Sequence, residues 1–248
     1  QYLPKLLGIF EAGSNAKATS LEEVVRSLAR TFGVDDSPIA TNNREALHAR
    51  IKLIRDDVDF QSVEGLLQIR PASFDVKAAV RHDFGAMVAL MDLSPFSIAG
   101  YDAASNSMVT SMWSSMRADD YAAWQADKST ATPSNFTDRW IADRAALLKA
   151  VVIRNQENAA NLIAPNPAGG LIGGRQYRDV ASGTTITVGI DVPSNRLIVF
   201  GGEGDDSGAA ALIGGSQADD IFGGAGNDTL DGKAGDDYLE GGAGNDTL

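Results

Sequence analysis

The sequence from Gly214 to Leu248 writes one nine-residue phrase four times without a gap: GGSQADDIF (214–222), GGAGNDTLD (223–231), GKAGDDYLE (232–240) and GGAGNDTL (241–248). In a nine-residue period of this form, each unit consists of a turn that glycine permits, followed by one very short strand. An aspartate recurs at every ninth residue, and a large aliphatic residue follows it two positions later. This period therefore decides the fold of the C-terminal part of the chain.

Each position of the phrase suits one role in binding a hard cation. Glycine leaves the backbone bare, so carbonyl oxygens can converge on an ion, and aspartate supplies the anionic oxygen that calcium prefers over nitrogen or sulfur. The predicted calcium ligands and turn residues are Gly214, Gly215, Asp219, Gly223, Gly224, Gly226, Asp228, Gly232, Gly235, Asp237, Gly241, Gly242, Gly244 and Asp246. The predicted inward-facing aliphatics are Leu212, Ile221, Leu230, Leu239 and Leu248.

The pattern GGxGxDxUx, with U a large aliphatic, resembles the haemolysin-type RTX calcium-binding repeats. The resemblance implies a parallel β-roll in which two nonapeptides make one coil, so that Asp219 lies one coil from Asp237, and Asp228 one coil from Asp246. Adjacent strands lie roughly 4.8 Å apart, so stacked carboxylates repel one another unless an ion lies between them. We therefore expect the fold itself to require Ca²⁺. The alternative is a flexible linker rich in glycine and aspartate, but a linker has no reason to keep its aliphatics in register.

The repeats are not uniform. Gln217 stands where the pattern has glycine, and Lys233 replaces a second glycine, so weaker sites are expected beside them. The upstream segment GGEGDDSGA, from Gly201, looks like another repeat that is out of phase, with Asp205 and Asp206 as a degenerate cap of the first site. At most two or three bound ions are expected.

Charge and cysteine content narrow the classes of partner. Residues 201–248 hold eleven of the 33 acidic residues against one basic residue, Lys233, and the whole chain carries a net charge of −12. This distribution favours a cation and argues against nucleic acid, which needs a basic surface. The chain has no cysteine, and no apolar run approaches the roughly 18 to 20 residues of a membrane span, although contact with a membrane stays open.

The expected fold class is α+β with several domains. Residues 1–163 are predicted to be a helical bundle, from apolar stripes over residues 20–32, 46–54, 73–93, 108–116 and 137–163. Residues 164–200 are predicted to be a proline- and glycine-rich connector and a β-hairpin that turns at Ser182 and Gly183, followed by the strand RLIVF. Residues 201–248 are predicted to be the calcium-binding roll, and the whole sequence to be a piece of a longer protein.

The sequence carries no catalytic signature. The zinc-protease motif H-E-x-x-H is missing, since His48 and His82 are the only histidines, and no G-x-S-x-G elbow occurs. The acidic group Asp56, Asp57 and Asp59 lacks the glycine and the closing glutamate of an EF-hand loop, so a solvated helix end is the simpler interpretation.

Two functional hypotheses follow. In the first, the tail is a calcium-dependent folding and secretion module of an extracellular bacterial protein, exported by type I secretion machinery, with a lipase-like hydrolase domain upstream as the resemblance implies. In the second, the helical region is itself a toxin or lipid-binding domain, suggested by the stripe Met108, Met112, Trp113 and Met116, which ordinary core packing also explains. A surface adhesin is a third, weaker option.

Overall fold

The computed structural model describes helices and strands in two compact units, Gln1–Ala122 and Ala123–Leu248. The described residues are 21–40, 43–71, 79–94, 96–100, 102–156, 174–189, 195–208 and 211–248. Within them the fold is a mixture of α and β structure, as the sequence predicts. Within them, too, no helix is both long and apolar enough to cross a membrane.

The first unit combines helices with one small sheet. Its elements are α1 (Leu21–Phe32), α2 (Arg44–Arg55), α3 (Val58–Val63), β1 (Leu67–Pro71), α4 (Phe84–Met91), β2 (Phe96–Gly100) and α5 (Ala103–Met116); α6 (Ala118–Lys128) runs across the division between the units. The predicted apolar stripe of α1 is buried against α2 through Val25, Ala29 and Phe32 on one helix and Leu47 and Ile54 on the other.

Two expectations for this unit are wrong. The helix predicted over residues 73–93 is interrupted: Ala79 and Val80 are helical, residues 81–83 leave the helix, and α4 begins at Phe84. The Asp83 side chain caps this new start by accepting bonds from the amides of Gly85 and Ala86, at 2.9 and 3.3 Å. Residues 72–78 lie outside the described part. The segment after this helix is not helical either, since β2 pairs antiparallel with β1. The first unit is therefore not an all-helical bundle.

The second unit contains one 19-residue helix and two sheets. Its elements are α7 (Asp138–Gln156), β3 (Arg175–Asp179), β4 (Thr184–Val188), β5 (Arg196–Phe200), β6 (Leu212–Ile213), β7 (Asp220–Ala225), β8 (Leu230–Asp231) and β9 (Tyr238–Ala243). The predicted hairpin is present as β3 and β4, and Gly183 in its turn has the positive φ of +65° that favours glycine. Residues 157–163, at the predicted end of the long helix, lie outside the described part.

The strands of the second unit form two sheets, in which the strands of the repeats pair in parallel. One has the order β4-β3-β5-β7-β9, parallel from β3 to β9, and the other pairs β6 with β8. The pairs Ile221 with Leu239 and Leu212 with Leu230 show that strands one coil apart are eighteen residues apart in sequence. The predicted inward aliphatics Leu212, Ile221 and Leu230 are buried together with Val199, whereas Leu248 is 66% exposed.

Helix α7 covers the other face of the larger sheet. Side chains alternate along a strand, so the neighbours of the inward aliphatics point to this face. Arg139 lies 2.5 Å from Asp220, and the Thr137 hydroxyl donates to Glu240 at 2.8 Å. Trp140 packs edge-on against Phe200. Helix α7 thus belongs to the same compact unit as the repeats, whereas the sequence suggested a division near residue 163.

A buried acid pair lies within this interface. The pKa of Asp143 is raised to about 7, first by burial and then by a hydrogen bond with Asp220 and the charge of that residue, against the opposing charges of Arg196 and Arg139. Asp143 Oδ2 is buried without a hydrogen-bond partner. The neutral form of Asp143 therefore suits the folded state better than its carboxylate does.

We expect Asp143→Asn to stabilise the chain more at pH 8 than at pH 5.5. An acid whose pKa rises from about 3.9 to about 7 on folding favours the folded state at low pH, and this contribution is lost as the pH rises through the interval. Asparagine mimics the neutral acid, so the gain at pH 8 should be about 1–3 kcal/mol after allowance for partial exposure. Urea unfolding at both pH values, in saturating calcium, measures it.

The control is Asp138→Asn, an exposed carboxylate in the first turn of the same helix. It should give no gain at either pH. An equal gain from Asp143→Asn at both pH values would show that protonation is not the cause.

Candidate metal centre

The glycine-rich turns of the tail stack at the two edges of its sheets. Turns 223–228 and 241–246 lie at one edge, here called the A edge, and turns 214–219 and 232–237 lie at the other, the B edge. This alternation follows from the period, because each nonapeptide crosses the tail once and the next one returns. The structure therefore brings the predicted residues together as two stacks.

The side chain of each repeat aspartate accepts a hydrogen bond from a main-chain amide of the preceding coil. The Asp219 amide donates to Asp237 Oδ1 at 2.8 Å, and the Asp228 amide donates to Asp246 Oδ1 at 3.0 Å. The other oxygen of the carboxylate can close its own turn, as when the Gly215 amide donates to Asp219 Oδ2 at 2.5 Å. The carboxylates thus lie between successive coils, and one coil separates the members of each pair.

The glycines are required by close approach of the coils as well as by backbone conformation. Gly226, Gly235 and Gly244 have φ between +118° and +136°, which L side chains rarely adopt. A Cβ at Gly226 would collide with the backbone at Gly204 and Asp205, and one at Gly235 would collide with the Gln217 carbonyl. The turns are therefore packed main chain against main chain.

Lys233 shows how the repeat tolerates a departure from its pattern. It keeps a positive φ of +70° in a position where the other repeats have glycine. Its amide and its ammonium group both bind the Asp231 side chain, at 3.0 and 2.6 Å, so local bonds offset the strained backbone.

Asp228 is the most unusual carboxylate in the two stacks. The residue is 1% exposed, and its Oδ1 accepts a bond from the Asp206 amide at 2.8 Å. Its Oδ2 is buried with no hydrogen-bond partner. Burial raises the pKa of Asp228, and the neighbouring charges of Asp206, Asp246 and Asp205 all raise it further. A buried anion among anions is costly unless a cation joins it.

The donor set in these turns fits calcium. Among the described residues, no group of three His, Asp or Glu side chains converges as a metal site made of side chains alone would require. The Gly241 carbonyl and Asp228 Oδ2 both lie against Gly223, and the Gly232 carbonyl and Asp219 Oδ2 both lie against Gly214. Carboxylate and carbonyl oxygens without nitrogen or sulfur are the ligands of a hard divalent cation.

Comparison with known families agrees with this chemistry. The family model for the RTX calcium-binding nonapeptide repeat matches four copies over residues 213–248. Residues 213–248 are RTX repeats. They bind Ca²⁺, which makes calcium the cofactor of this tail. No curated protein and no solved structure matches the chain.

The structure also places a turn that the sequence pattern put out of phase. Gly201–Asp206 stacks directly on turn 223–228, with the Gly201 amide donating to the Phe222 carbonyl at 2.8 Å and the Ala225 amide donating to the Gly202 carbonyl at 3.0 Å. The spacing from Gly201 to Asp206 equals that from Gly223 to Asp228, which is the signal that identifies it. Only the segment between Asp206 and Leu212 is longer.

The other candidate residues have ordinary structural roles or lie in the first unit. Asp57 caps α3 by accepting bonds from the amides of Asp59 and Phe60, at 2.9 and 3.1 Å, which agrees with the helix-end interpretation. His48 lies on α2, and His82 precedes the cap of α4. In the methionine stripe of α5, Trp113 is buried, whereas Met108 and Met116 are 36% and 38% exposed.

We expect Gly226→Ala to destabilise the calcium-bound tail by about 2–3 kcal/mol, because the new Cβ meets backbone atoms at a φ that alanine rarely adopts. Gly204→Ala is the matched control, since no atom lies within 4 Å of its Cβ position and its φ is not positive. Thermal or urea unfolding in saturating calcium compares the two variants. Equal losses would show that coil contact at Gly226 is not the constraint.

Proposed function

We propose that the tail is a parallel β-roll that folds on binding calcium, and that it serves the folding and secretion of a larger exported bacterial protein. The single observation that carries the proposal is Asp228, a buried carboxylate with one oxygen unpartnered and the negative charges of three other aspartates beside it. The parallel sheets with their eighteen-residue offset support the roll. The predicted glycines and aspartates of the two stacks are its proposed ligands.

The energetics favour folding that depends on metal. The aliphatic core of the roll is small, with four fully buried members, Val199, Leu212, Ile221 and Leu230. Ordering the backbone costs roughly 1–2 kcal/mol per residue, and stacked carboxylates add repulsion. Bound cations convert this repulsion into attraction, so metal binding and folding become one process.

The proposed export of the protein rests on the difference in calcium concentration between the inside and the outside of the cell. Extracellular calcium modules bind with dissociation constants on the order of 10⁻⁴ to 10⁻³ M, far above cytosolic calcium, so such a tail stays unfolded until it leaves the cell. Proteins with RTX repeats are typically secreted. An unfolded chain without cysteine suits passage through a type I secretion channel, which is the proposed partner together with further domains of the same protein.

The RTX repeats are not catalytic. Any enzymatic activity is therefore proposed for a hydrolase-like domain elsewhere in the longer protein. The rival function, a lipid-binding or toxic helical region, draws on the exposed methionines of α5. Single exposed apolar side chains are common on protein surfaces, so they favour this rival weakly. Dye release from liposomes by the calcium-saturated chain would support it, and intact liposomes would count against it.

The direct test is calcium-dependent folding of the whole chain. We expect strand signal in far-UV circular dichroism to appear with calcium and to fall on addition of a chelator. Unfolding free energy should rise by about 2.7 kcal/mol for each site when calcium reaches a hundred times its dissociation constant. Magnesium at the same concentration is the control, since it demands stricter octahedral geometry and loses its water reluctantly. Strand signal that a strong chelator leaves unchanged would refute the proposal.

Asp228→Asn should separate the ligand role from a purely structural one. Without metal, the variant removes a buried charge among like charges, so the calcium-free chain should keep or gain stability. With calcium, it removes an anionic ligand, so the stabilisation by calcium should shrink by about 2 kcal/mol or more. Unfolding with chelator and with calcium measures both effects.

Asp231→Asn serves as the matched control, because it removes one charge of the same tail from an exposed site paired with Lys233. Its calcium response should equal that of the unaltered chain. An Asp228→Asn variant that loses the same stability in both conditions would mean that Asp228 holds the coil through hydrogen bonds alone.

A further inference from the structure

Helix α7 contacts two different parts of its sheet through two neighbouring rows of side chains. Residues four apart lie on one face of a helix, so Trp140 and Arg144 form one row, and Arg139 and Asp143 form the next. The first row contacts β3 and β5, which lie before the matched repeats. The second row contacts β7, which lies within them. The helix therefore joins strands outside the repeats to the repeats themselves.

The contacts of the first row include no repeat residue. Arg144 Nη1 lies 2.6 Å from Asp179 Oδ1, and the two side chains are 7% and 1% exposed. The Ser182 hydroxyl donates to the other oxygen of Asp179. The Arg144 guanidinium also lies 5.0 Å from the centre of the Phe200 ring, against which Trp140 packs edge-on. This buried ion pair is therefore satisfied by the helix, the hairpin and β5 alone.

Strands β3, β4 and β5 form a small sheet that is complete without the repeats. β3 pairs antiparallel with β4 and parallel with β5, along five residues each. One row across the three strands consists of Ile186, Tyr177 and Ile198, each 3% exposed or less. Three strands with an apolar face that packs against a helix meet the usual requirement for independent stability. The buried carboxylate of this group, Asp179, faces an arginine rather than other carboxylates, so its burial needs no metal ion.

Strand β5 provides for the first repeat what each coil provides for the next. It pairs in parallel with β7, with Val199 opposite Ile221. The Leu197 amide donates to Asp219 Oδ1 at 2.7 Å, which is the bond that every repeat aspartate accepts from the preceding coil. Val199 is also buried in the aliphatic core of the tail, with Leu212. β5 therefore fixes the register of the first repeat strand.

The second row of the helix contacts the tail across two successive coils. Arg139 lies 2.5 Å from Asp220 on β7, and its guanidinium lies 4.3 Å from the centre of the Tyr238 ring on β9. Asp220 and Tyr238 are paired neighbours in the sheet. The Thr137 hydroxyl, one turn earlier, donates to Glu240 on β9 at 2.8 Å. These contacts need β7 and β9 side by side, so they form only after both coils are in place.

We propose that α7 and the strands β3, β4 and β5 fold without calcium into a template on which the repeats wind, and that Arg139 then holds the two wound coils against the helix. Winding starts at β5, which sets its register. The inference rests on the proposed function, because it takes the repeats to fold with calcium. It goes beyond that function by assigning the start of folding to residues outside the repeats.

Hydrogen–deuterium exchange of the whole chain, with a chelator and with saturating calcium, tests this order. With the chelator, the amides of β3, β5 and residues 140–150 of α7 should exchange more slowly than in the unfolded chain, by on the order of a hundredfold. The amides of β7 and β9 should exchange at the unfolded rate with the chelator. Calcium should protect both groups of strands.

Two variants of α7 should give different exchange patterns. Arg144→Gln leaves Asp179 buried without its charge partner, so protection of β3 and β5 with the chelator should be lost, and the calcium midpoint of folding should rise roughly tenfold. Arg139→Gln removes only contacts with the repeats. It should leave that protection unchanged and raise the calcium midpoint by roughly two- to threefold. Lys149→Gln, at an exposed position of the same helix, is the matched control and should change neither quantity.

The outcomes distinguish the template from the function on which it rests. Free exchange of β3 and β5 with the chelator, in a chain that calcium folds, would overturn the template alone. Protection of β7 and β9 with the chelator would overturn calcium-dependent folding, and the template with it. Loss of protection of β3 and β5 in Arg139→Gln would contradict the division of the helix into two rows. If Arg144→Gln does not fold even in calcium, the exchange pattern of the unaltered chain decides, since it needs no variant.

Discussion

The tail depends on one contact, the carboxylate of each repeat aspartate reaching the amide of the coil before it. This contact fixes the distance between coils and holds the aspartates in two columns, one at each edge. It also forces buried carboxylates into line, as the raised pKa of Asp228 shows. Hydrogen bonding therefore favours the stacked carboxylates, whereas burial and mutual repulsion disfavour them. A bound divalent cation offsets the repulsion and leaves the hydrogen bonds in place.

The same coils build the surface on which α7 rests. Phe200 and Phe222 stack in parallel at 5.2 Å because their strands are neighbours in the sheet, and Trp140 packs on the first of them. Asp220 is held by Arg139 from the helix and by Arg196 from the sheet. These contacts exist only when the strands are in register, so if calcium drives the folding of the tail as proposed, it also completes the binding face of the helix. Folding of the repeats and docking of α7 are coupled within one compact unit.

Much of the tail could be predicted from sequence because its signals are local and periodic. The nine-residue period gives the offset of paired strands, and the hairpin around Gly183 follows from two β-rich runs with a glycine turn. The helix was predicted within residues 137–163, but its packing on the sheet was not, although the odd repeats carry Asp220, Phe222, Tyr238 and Glu240 where the even repeats carry Thr229, Asp231 and Thr247. That alternation distinguishes a covered sheet from an exposed one. The start of α4 was missed because a side-chain cap at Asp83 outweighed a continuous apolar pattern.

The upstream turn shows why phase alone misleads. Thirteen residues separate Gly201 from Gly214, four more than the period of the repeats. The residue before Gly201, Phe200, nevertheless pairs in parallel with Phe222, the residue before Gly223. The extra residues lie between Asp206, the last residue of the turn that stacks at the A edge, and Leu212, whose side chain is in the core. Lengthening a connection costs little entropy, whereas a shift inside the turn would move Asp206 away from Asp228. The insertion therefore lies where stacking and charge leave room for it, and the repeated contact continues one coil beyond the repeated sequence.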